Sequence, residues 1–258
     1  MNIRLKRAMK RVARRMGYEI RRIPRTIDAP PASTVIPGTP VDILPWLAAT
    51  QAIRTIVDIG AHDGEFAEAL YGHFRPVRTY VIEPLPSCRA KLEKRRAAIP
   101  HLQILSVGVS DHSGKEVLWE NSYGPSSSFL HVARLHTNEF PGTDGETPVR
   151  VEVAPLDDLL AGHALESNVL VKIDVQGAED RVIRGGRKVL GAAHCVLIEV
   201  AFAVLYERQP LFEEIHAAMI ALGFRLAGFK SQICSPRSRQ PLFAHAIYLR
   251  SDCPSRAT

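Results

Sequence analysis

The amino-acid sequence predicts an α/β protein built on a doubly wound, mostly parallel β-sheet. Short apolar runs alternate with segments of helical periodicity along most of the chain, which is typical of successive strand and helix units. The runs are apolar at nearly every position, as expected for strands that are covered on both faces. The last two runs are joined by a loop with no room for a helix, so we expect an antiparallel hairpin at one edge of the sheet.

The 258 residues suffice for one large domain of this class, and 46% hydrophobic and 23% charged residues are typical of a globular protein. No apolar run approaches the ~20 residues that a membrane-spanning helix needs. The net charge is +9 up to Ile27, whereas the remainder of the chain carries −3. Because this acidic body offers no broad cationic face, we expect no nucleic-acid partner.

Residues 1–23 are predicted to form a basic amphipathic helix. Leu5, Met9, Val12 and Met16 recur at helical spacing, and Lys and Arg side chains occupy the opposite side. Such a helix can bind an anionic membrane surface or pack on the main domain, and the sequence leaves both open; RNA binding is a third and weaker interpretation. Residues 24–40 contain five prolines and are predicted to form a linker.

Residues 41–250 are predicted to form the main domain, with a flexible tail over 251–258. The predicted strands are 54–59, 78–83, 101–109, 169–174, 195–200, 224–229 and 246–249. The predicted helices are 63–74, 86–98, 178–190 and 211–222. Between residues 114 and 160 the alternation lapses, and two strands, 115–120 and 149–153, flank a stretch rich in Gly, Ser and Pro. We interpret 114–160 as an insertion over the C-terminal edge of the sheet, where α/β folds bind ligands.

The most informative motif lies between the first strand and the first helix of this domain. Asp58-Ile-Gly60-Ala-His-Asp-Gly64 occupies the position where a glycine-rich turn lets a ligand approach the backbone and a helix N-terminus. Glu83 follows at the end of the next strand, where a carboxylate can accept hydrogen bonds from both hydroxyls of a ribose. Together the two features predict a ligand that contains a nucleoside.

The chemistry of this turn favours S-adenosylmethionine over a nicotinamide dinucleotide. A dinucleotide fingerprint needs Gly at position 62, where this chain has His62, because pyrophosphate must approach the backbone closely there. S-adenosylmethionine carries a ribose and also an ammonium group, which the carboxylate of Asp58 would favour. An NAD-dependent Rossmann oxidoreductase is the alternative enzyme class. A cofactor-binding or glycan-binding protein without turnover is the non-enzymatic alternative.

Further motifs follow the turn in a defined order. They are Ile82-Glu-Pro84, Val107-Gly-Val-Ser-Asp111 with Gly114, Ser126-Ser-Ser-Phe-Leu130, Leu156-Asp-Asp-Leu159, Lys172-Ile-Asp-Val-Gln-Gly-Ala-Glu179, Ile198-Glu-Val200 and Gln209-Pro-Leu-Phe212. With this ordered set the chain resembles the FkbM family of S-adenosylmethionine-dependent methyltransferases, over roughly residues 53–250. The stretch from Lys172 to Glu179 is the most specific part of the resemblance.

The resemblance implies a class I methyltransferase fold, which is Rossmann-like, with S-adenosylmethionine as cofactor. It also implies, as is common in the family, methylation of hydroxyl oxygens on sugars, glycans or natural products. By position, the first turn would hold the methionine end, Glu83 the ribose, and the turn from Val109 to Asp111 the adenine. The residues expected to bind the cofactor are Asp58, Gly60, Ala61, His62, Gly64, Phe66, Glu83, Val109 and Asp111. Family members often have Asp before the aromatic run of the last strand, where this chain reads His245-Ala-Ile-Tyr248.

Methyl transfer to an alcohol requires alignment of the acceptor and removal of a poorly acidic proton. Asp174 is the first candidate for this site, either as the base or as the residue that orients a histidine. Glu179 and Glu199 are further catalytic candidates, and the histidines considered as partners are His62, His112 and His131. The structural alternative is that Glu179 caps the helix start and that Lys172 neutralises Asp174.

The remaining expectations concern metals, cysteines and location. The oxygen ligands are scattered, so no metal requirement is predicted. Cys88, Cys195, Cys234 and Cys253 show no zinc-ligand spacing and are expected to be free thiols in a reducing compartment. We therefore expect a cytoplasmic protein whose basic N-terminal helix is able to attach it peripherally to the inner face of the membrane.

Overall fold

The computed structural model describes residues 43–251. The predicted N-terminal helix, the proline-rich linker and nearly all of the predicted tail lie outside the described residues, so those interpretations stay predictions. The described part begins with helix α1, Ile43–Thr50. No helix within residues 43–251 is long and apolar enough to cross a membrane.

A seven-stranded sheet forms the centre of the described chain. Its strands are β1 (Thr55–Ile59), β2 (Arg78–Ile82), β3 (Leu102–Leu105), β7 (Val169–Ile173), β8 (Ala193–Ala201), β9 (Phe224–Cys234) and β10 (Pro241–Arg250). The strand order is β3-β2-β1-β7-β8-β10-β9, and every pairing up to β8 is parallel. Strand β10 pairs antiparallel with both β8 and β9, which confirms the predicted edge hairpin.

Helices cover both faces of this sheet. They are α2 (Glu65–Phe74), α3 (Pro86–Arg95), α4 (Arg134–Glu139), α5 (Leu156–Leu159), α6 (Glu179–Gly185), α7 (Arg187–Ala192) and α8 (Phe212–Ala221). Ile56 and Leu170 pack in one cluster with α1 and α2, while their neighbours Val57 and Val171 pack in another with α6 and α8. Burial on both faces explains the uninterrupted apolar runs, and the doubly wound α/β fold is confirmed.

Strand 101–109 of the prediction is divided between two sheets. After Leu105 the chain leaves the large sheet, and β4 (Gly108–Val109) joins a small sheet with β5 (Gly114–Asn121) and β6 (Glu146–Ala154), in the order β4-β6-β5. Any side chain at position 108 would overlap the ring of Phe129. Gly108 therefore allows the small sheet and the segment that follows it to pack tightly.

The predicted helix 178–190 is also divided, into α6 and α7. A Cβ atom on Gly185 would collide with the carbonyl oxygen of Ser110, and one on Gly186 would crowd Leu156 and the carbonyl oxygen of Val182. The two glycines therefore allow the α6–α7 junction to pack directly against the backbone of a neighbouring loop. The helical periodicity of the sequence gives no information about this close approach, so it predicts one continuous helix.

Candidate active site

A cavity of about 480 Å³ opens at the C-terminal edge of the large sheet. Its volume lies within the ~300–1,000 Å³ that small-molecule sites occupy in proteins. It is lined by the turn after β1, the ends of β2 and β7, strand β4 and five residues of the segment between β5 and β6, namely Gly124, Pro125, Ser127, Ser128 and Phe129. The sheet topology thus brings together elements that are far apart in the sequence.

The turn after β1 forms the floor of the cavity. Gly60 has a φ of 73°, and a Cβ atom there would collide with the carbonyl oxygen of Asp174, so only glycine fits. Gly60, Ala61, His62 and Phe66 line the cavity, and their assignment to the cofactor stays a prediction. Gly64 does not line it; with a φ of 77° it instead begins α2, at a place where the side chains of α3 leave little room.

Glu83 lies directly after β2, is buried and lines the cavity. Its Oε2 accepts the backbone N–H of His62 at 2.8 Å, and its Oε1 accepts that of Leu85 at 2.9 Å. Each carboxylate oxygen retains a further lone pair for a ligand hydroxyl. Burial raises the pKa of Glu83 above its usual range, although these two donors favour the charged form.

The wall next to Glu83 is apolar and includes Leu85, Val109, Leu118 and Phe129. Val109 was predicted to contact adenine, and its position is compatible with that role. Asp111, predicted beside it, does not line the cavity. Hydrogen bonds from His112 and from Arg184, whose Nε lies 2.8 Å from Oδ2, lower the pKa of Asp111 to about 2. These contacts hold its carboxylate at the surface.

Asp58 is fully buried and does not line the cavity, in contrast to its predicted contact with the cofactor's ammonium group. The Nζ of Lys172 lies 3.1 Å from Asp58 Oδ1 and donates to the carbonyl oxygen of Gly60 at 2.9 Å. Burial disfavours the ammonium of Lys172, but Asp58 and Asp174 together raise its pKa. Lys172 therefore ties Asp58 to the turn. A single charged residue in the apolar strand Val-Leu-Val-Lys-Ile is the sequence signal that points to it.

Asp174 follows β7 and lines the cavity. Its Oδ2 lies 3.6 Å from Lys172 Nζ, and its Oδ1 accepts a hydrogen bond from Gln176 Nε2 at 2.6 Å. Burial alone would raise the pKa of Asp174, but Lys172 and His245 hold it well below its usual range. The carboxylate is therefore ionised at neutral pH and is a weak proton acceptor.

His245 is the histidine that the structure pairs with Asp174. Its Nε2 lies 3.4 Å from Asp174 Oδ2, and Phe66, which lines the cavity, stacks on its ring at 5.8 Å. The three histidines named from the sequence do not contact Asp174: His62 lines the cavity, whereas His112 and His131 pair with Glu116 and Glu146, each at 2.8 Å. The pairing of β10 with β8 places His245 here, and no local sequence pattern predicts that pairing.

Glu199 lies opposite His245 on β8 and does not line the cavity. It accepts a hydrogen bond from Gln176 Nε2 at 3.3 Å. One side-chain oxygen or nitrogen from each of Asp174, Glu199 and His245 lies within 4.8 Å of those of the other two, a spacing that also suits a shared metal ion. Burial and the charges of Asp174 and Glu179 raise the pKa of Glu199 well above its usual range.

Glu179, the third predicted catalytic residue, is buried and does not line the cavity. Its Oε1 accepts the backbone N–H groups of Val175 and Gly177, both at 3.1 Å. It therefore holds the loop between β7 and α6, a structural role, whereas the structural alternative considered from the sequence placed its contacts at the helix start.

Glu179 gives a stability prediction with a defined sign. Burial raises its pKa to about 7, so between its ordinary value and pH 7 the folded state binds a proton that the unfolded state releases. This contribution to the free energy of unfolding, ~3 kcal/mol, is lost as the pH rises through that range. The melting temperature of Glu179→Gln should therefore rise relative to that of the wild type as the pH increases from 5 to 8, because glutamine does not titrate.

The control is Glu179→Ala, which removes the acceptor of two backbone N–H groups and should destabilise at every pH, by ~1–3 kcal/mol for each unsatisfied group. Melting temperatures across this pH range decide the matter. A difference between Glu179→Gln and the wild type that does not change with pH would contradict the prediction.

Comparison with protein families gives a match to the methyltransferase FkbM domain over residues 58–226, which is more than half of the chain. The chain belongs to the FkbM methyltransferase family. Its described domain is accordingly an S-adenosylmethionine-dependent methyltransferase domain, as the resemblance implied.

A curated relative of this FkbM methyltransferase is the 2-O-methyltransferase NoeI of Sinorhizobium fredii. The two are 29% identical over 160 residues, which cover 60% of this chain and 66% of NoeI. The match thus spans just under two thirds of the relative's length.

Solved structures with a similar fold include the N-methyltransferase NodS from Bradyrhizobium japonicum in complex with S-adenosyl-L-homocysteine, with 10% identity, 81% and 83% of the two chains covered, and a TM-score of 0.45. An rRNA methylase from Streptococcus thermophilus has 12% identity, 80% and 93% coverage, and a TM-score of 0.42.

S-adenosylmethionine is the cofactor of this FkbM methyltransferase domain. The cavity fits it: a buried carboxylate with spare lone pairs lies at the end of β2, an apolar wall lies beside it, and the glycine turn exposes backbone. A dinucleotide fits poorly because His62 occupies the turn where pyrophosphate would approach the backbone. The imidazole of His62 packs closely on Gly124: a Cβ atom at position 124 would lie only 2.9 Å from its Nε2.

A ligand that binds only the native state raises the melting temperature. S-adenosylmethionine and S-adenosylhomocysteine should therefore raise that of this FkbM methyltransferase, whereas NAD should leave it unchanged. Thermal melts at matched ligand concentrations measure this. Stabilisation by NAD without stabilisation by S-adenosylhomocysteine would instead indicate the Rossmann oxidoreductase considered from the sequence.

Proposed function

We propose that the enzyme transfers a methyl group to a hydroxyl oxygen of a sugar, as part of a glycan or a similar small molecule. One observation carries the proposal: Asp174, which lines the cavity at the end of β7, lies in a cluster with Glu199 and His245, and one side-chain oxygen or nitrogen of each lies within 4.8 Å of those of the other two. The relative named as a 2-O-methyltransferase supports transfer to oxygen.

The cluster suits a hydroxyl better than an amine. S-adenosylmethionine supplies an electrophilic methyl group, so the protein must align the acceptor and manage its proton. A neutral amine already offers a lone pair, whereas an alcohol is a weak nucleophile until a base removes its proton, which contributes ~10²–10⁴-fold to the rate. A set of proton-binding groups at the cavity therefore favours an alcohol acceptor.

We assign removal of the proton from the acceptor's hydroxyl to His245. Since ionised Asp174 only accepts hydrogen bonds, the Nε2–H of His245 donates to it, and Nδ1 is the free acceptor of the neutral ring. Nδ1 is buried and has no hydrogen-bond partner among the described residues. His245 itself does not line the cavity, so the acceptor's hydroxyl must displace the contacts that cover Nδ1 before Nδ1 takes its proton; Asp174 orients the ring and stabilises the imidazolium that forms.

Glu83, the backbone of the turn after β1, and Val109 are assigned to the cofactor. The segment between β5 and β6 closes the opposite side of the cavity through Gly124, Pro125 and Phe129. We assign acceptor selection to this segment because it covers the edge of the sheet where the cofactor and the acceptor must meet.

A paired set of oligosaccharides tests the proposal. One member carries a free amino group and its partner carries the same amino group acetylated, so that both offer the same hydroxyls. With methyl-labelled S-adenosylmethionine, we expect label in both, and mass mapping should place it on oxygen. Label only in the free amine, and on its nitrogen, would contradict O-methylation.

A further inference from the structure

Gln176 has a strained backbone and an unusually complete set of partners. Its φ of 55° lies in the left-handed region, which residues other than glycine rarely adopt. The carbonyl oxygen of Gln176 accepts the hydroxyl of Ser128 at 2.6 Å, and the N–H groups on both sides of it donate to Glu179. The loop is thus held in this conformation from two directions, and strain that is retained in this way often marks a functional position.

The side-chain amide of Gln176 connects the two acceptor-side carboxylates. Its Nε2 lies 2.6 Å from Asp174 Oδ1 and 3.3 Å from Glu199 Oε1. An amide nitrogen carries two N–H groups, so each carboxylate can receive one. A shared donor between two neighbouring carboxylates offsets the repulsion that would otherwise separate them.

Tyr206 determines which end of this amide faces the carboxylates. Its hydroxyl lies 2.7 Å from Gln176 Oε1 and 3.2 Å from the carbonyl oxygen of Ser126, and its one proton is assigned to the closer acceptor, which leaves the amide nitrogen of Gln176 on the side of Asp174 and Glu199. Tyr206 is 2% exposed and packs in an apolar cluster with Leu130 and Leu205, and its ring contacts that of His136. The hydroxyl is therefore held in place by residues that do not touch the carboxylates.

We propose that Tyr206 and Gln176 act together as positioning residues that fix the carboxylates of Asp174 and Glu199 in the arrangement needed for methyl transfer. The inference rests on the proposed function. It deepens that function, because it assigns to Gln176, in the motif from Lys172 to Glu179, a part in setting the acceptor side of the site. The hydroxyl of Tyr206 makes no hydrogen bond to either carboxylate, so its effect on them passes through Gln176, and this gives the proposal a sharp test.

The test is a double-mutant cycle on kcat with Gln176→Gly and Tyr206→Phe. Glycine accepts the left-handed backbone and removes the amide, whereas phenylalanine keeps the packing and removes one hydroxyl. Gln176→Gly should lower kcat by ~10–100-fold, as small misplacements at reacting centres do. Tyr206→Phe should lower it by a smaller factor, and the double variant should match Gln176→Gly alone because the two residues form one unit.

Two control variants and two further measurements separate positioning from general damage. Gln176→Asn tolerates the same backbone and keeps a shorter amide, so it should restore part of kcat. Tyr71→Phe makes the same chemical change at a tyrosine outside the cluster and should leave kcat unchanged. The Kd of S-adenosylhomocysteine and the melting temperature should change little in every variant, which excludes loss of folding.

Independent effects of Gln176→Gly and Tyr206→Phe on kcat, or no effect of either, would overturn the proposal. Loss of turnover on chelation and its recovery with Mn²⁺ would also overturn it, because the carboxylates would then be ligands of a cation rather than partners of the amide.

A readout without turnover distinguishes failure of this inference from failure of the proposed function. In carboxyl ¹³C NMR, Gln176→Gly and Tyr206→Phe should both raise the pH at which Glu199 titrates, since both variants weaken its hydrogen bond from the amide. This result stands even if no sugar is methylated. An unchanged titration of Glu199 in both variants overturns the positioning role whatever the acceptor is.

Discussion

Replacing Asp174 by asparagine should lower kcat by at least ~10²-fold, the scale expected when a general base or the residue that orients it is lost. Asparagine keeps the shape of the side chain but removes the charge that holds His245 and pairs with Lys172. Its amide nitrogen also replaces one of the two oxygens and so faces either His245 Nε2 or Gln176 Nε2, each of which is itself a donor. Steady-state turnover with a sugar acceptor measures the effect, and the Kd of S-adenosylhomocysteine should change much less.

The matched control for this prediction is Asp158→Asn, an exposed aspartate of α5 that does not line the cavity. His245→Gln should lose turnover by a similar factor, because it removes the ring assigned to the proton. Full turnover in Asp174→Asn would make this carboxylate structural. Full turnover in His245→Gln, together with loss of turnover in Asp174→Asn, would indicate that Glu199 rather than His245 removes the acceptor's proton.

Replacing Glu83 by glutamine should raise the Kd of S-adenosylhomocysteine by ~10–100-fold, since hydrogen bonds to charged groups contribute ~1.5–3 kcal/mol. The carboxylate accepts N–H groups from His62 and Leu85 and retains lone pairs toward the cavity. Glutamine replaces one acceptor oxygen by a donor, which suits neither the backbone N–H groups nor two ribose hydroxyls. Isothermal titration gives the affinity, and thermal melts show how far the turn itself is destabilised.

The matched control for Glu83 is Glu152→Gln, at an exposed glutamate of β6 that pairs with Lys115. It should bind the cofactor product with unchanged affinity. If Glu83→Gln binds S-adenosylhomocysteine as tightly as this control does, the ribose is held elsewhere.

The fold could be predicted well from the sequence because its signals are local. Strands buried on both faces leave continuous apolar runs, and Gly60 and Glu83 occupy positions fixed by the end of a strand. The exceptions have a common physical origin. The splits at Gly108 and at the junction of Gly185 and Gly186 depend on side-chain overlap with distant segments, which no local periodicity records.

The candidate site was less predictable because it depends on pairing between distant strands. Asp58 and Glu179 have the charges that a site needs, but burial beside Lys172 and beside two backbone N–H groups gives them partners within the protein. His245 stands out in the sequence only as a departure from the family pattern. Its position opposite Glu199 follows from the antiparallel register of β10 on β8.

A crystal structure of the enzyme with S-adenosylhomocysteine tests the account most directly. We infer that one cavity holds the cofactor and presents its sulfur to the side where Asp174 and His245 meet. We therefore expect the ribose hydroxyls on Glu83, the adenine against Val109, and the sulfur facing Asp174. A ribose bound away from Glu83, or a sulfur separated from Asp174 by protein, would contradict it.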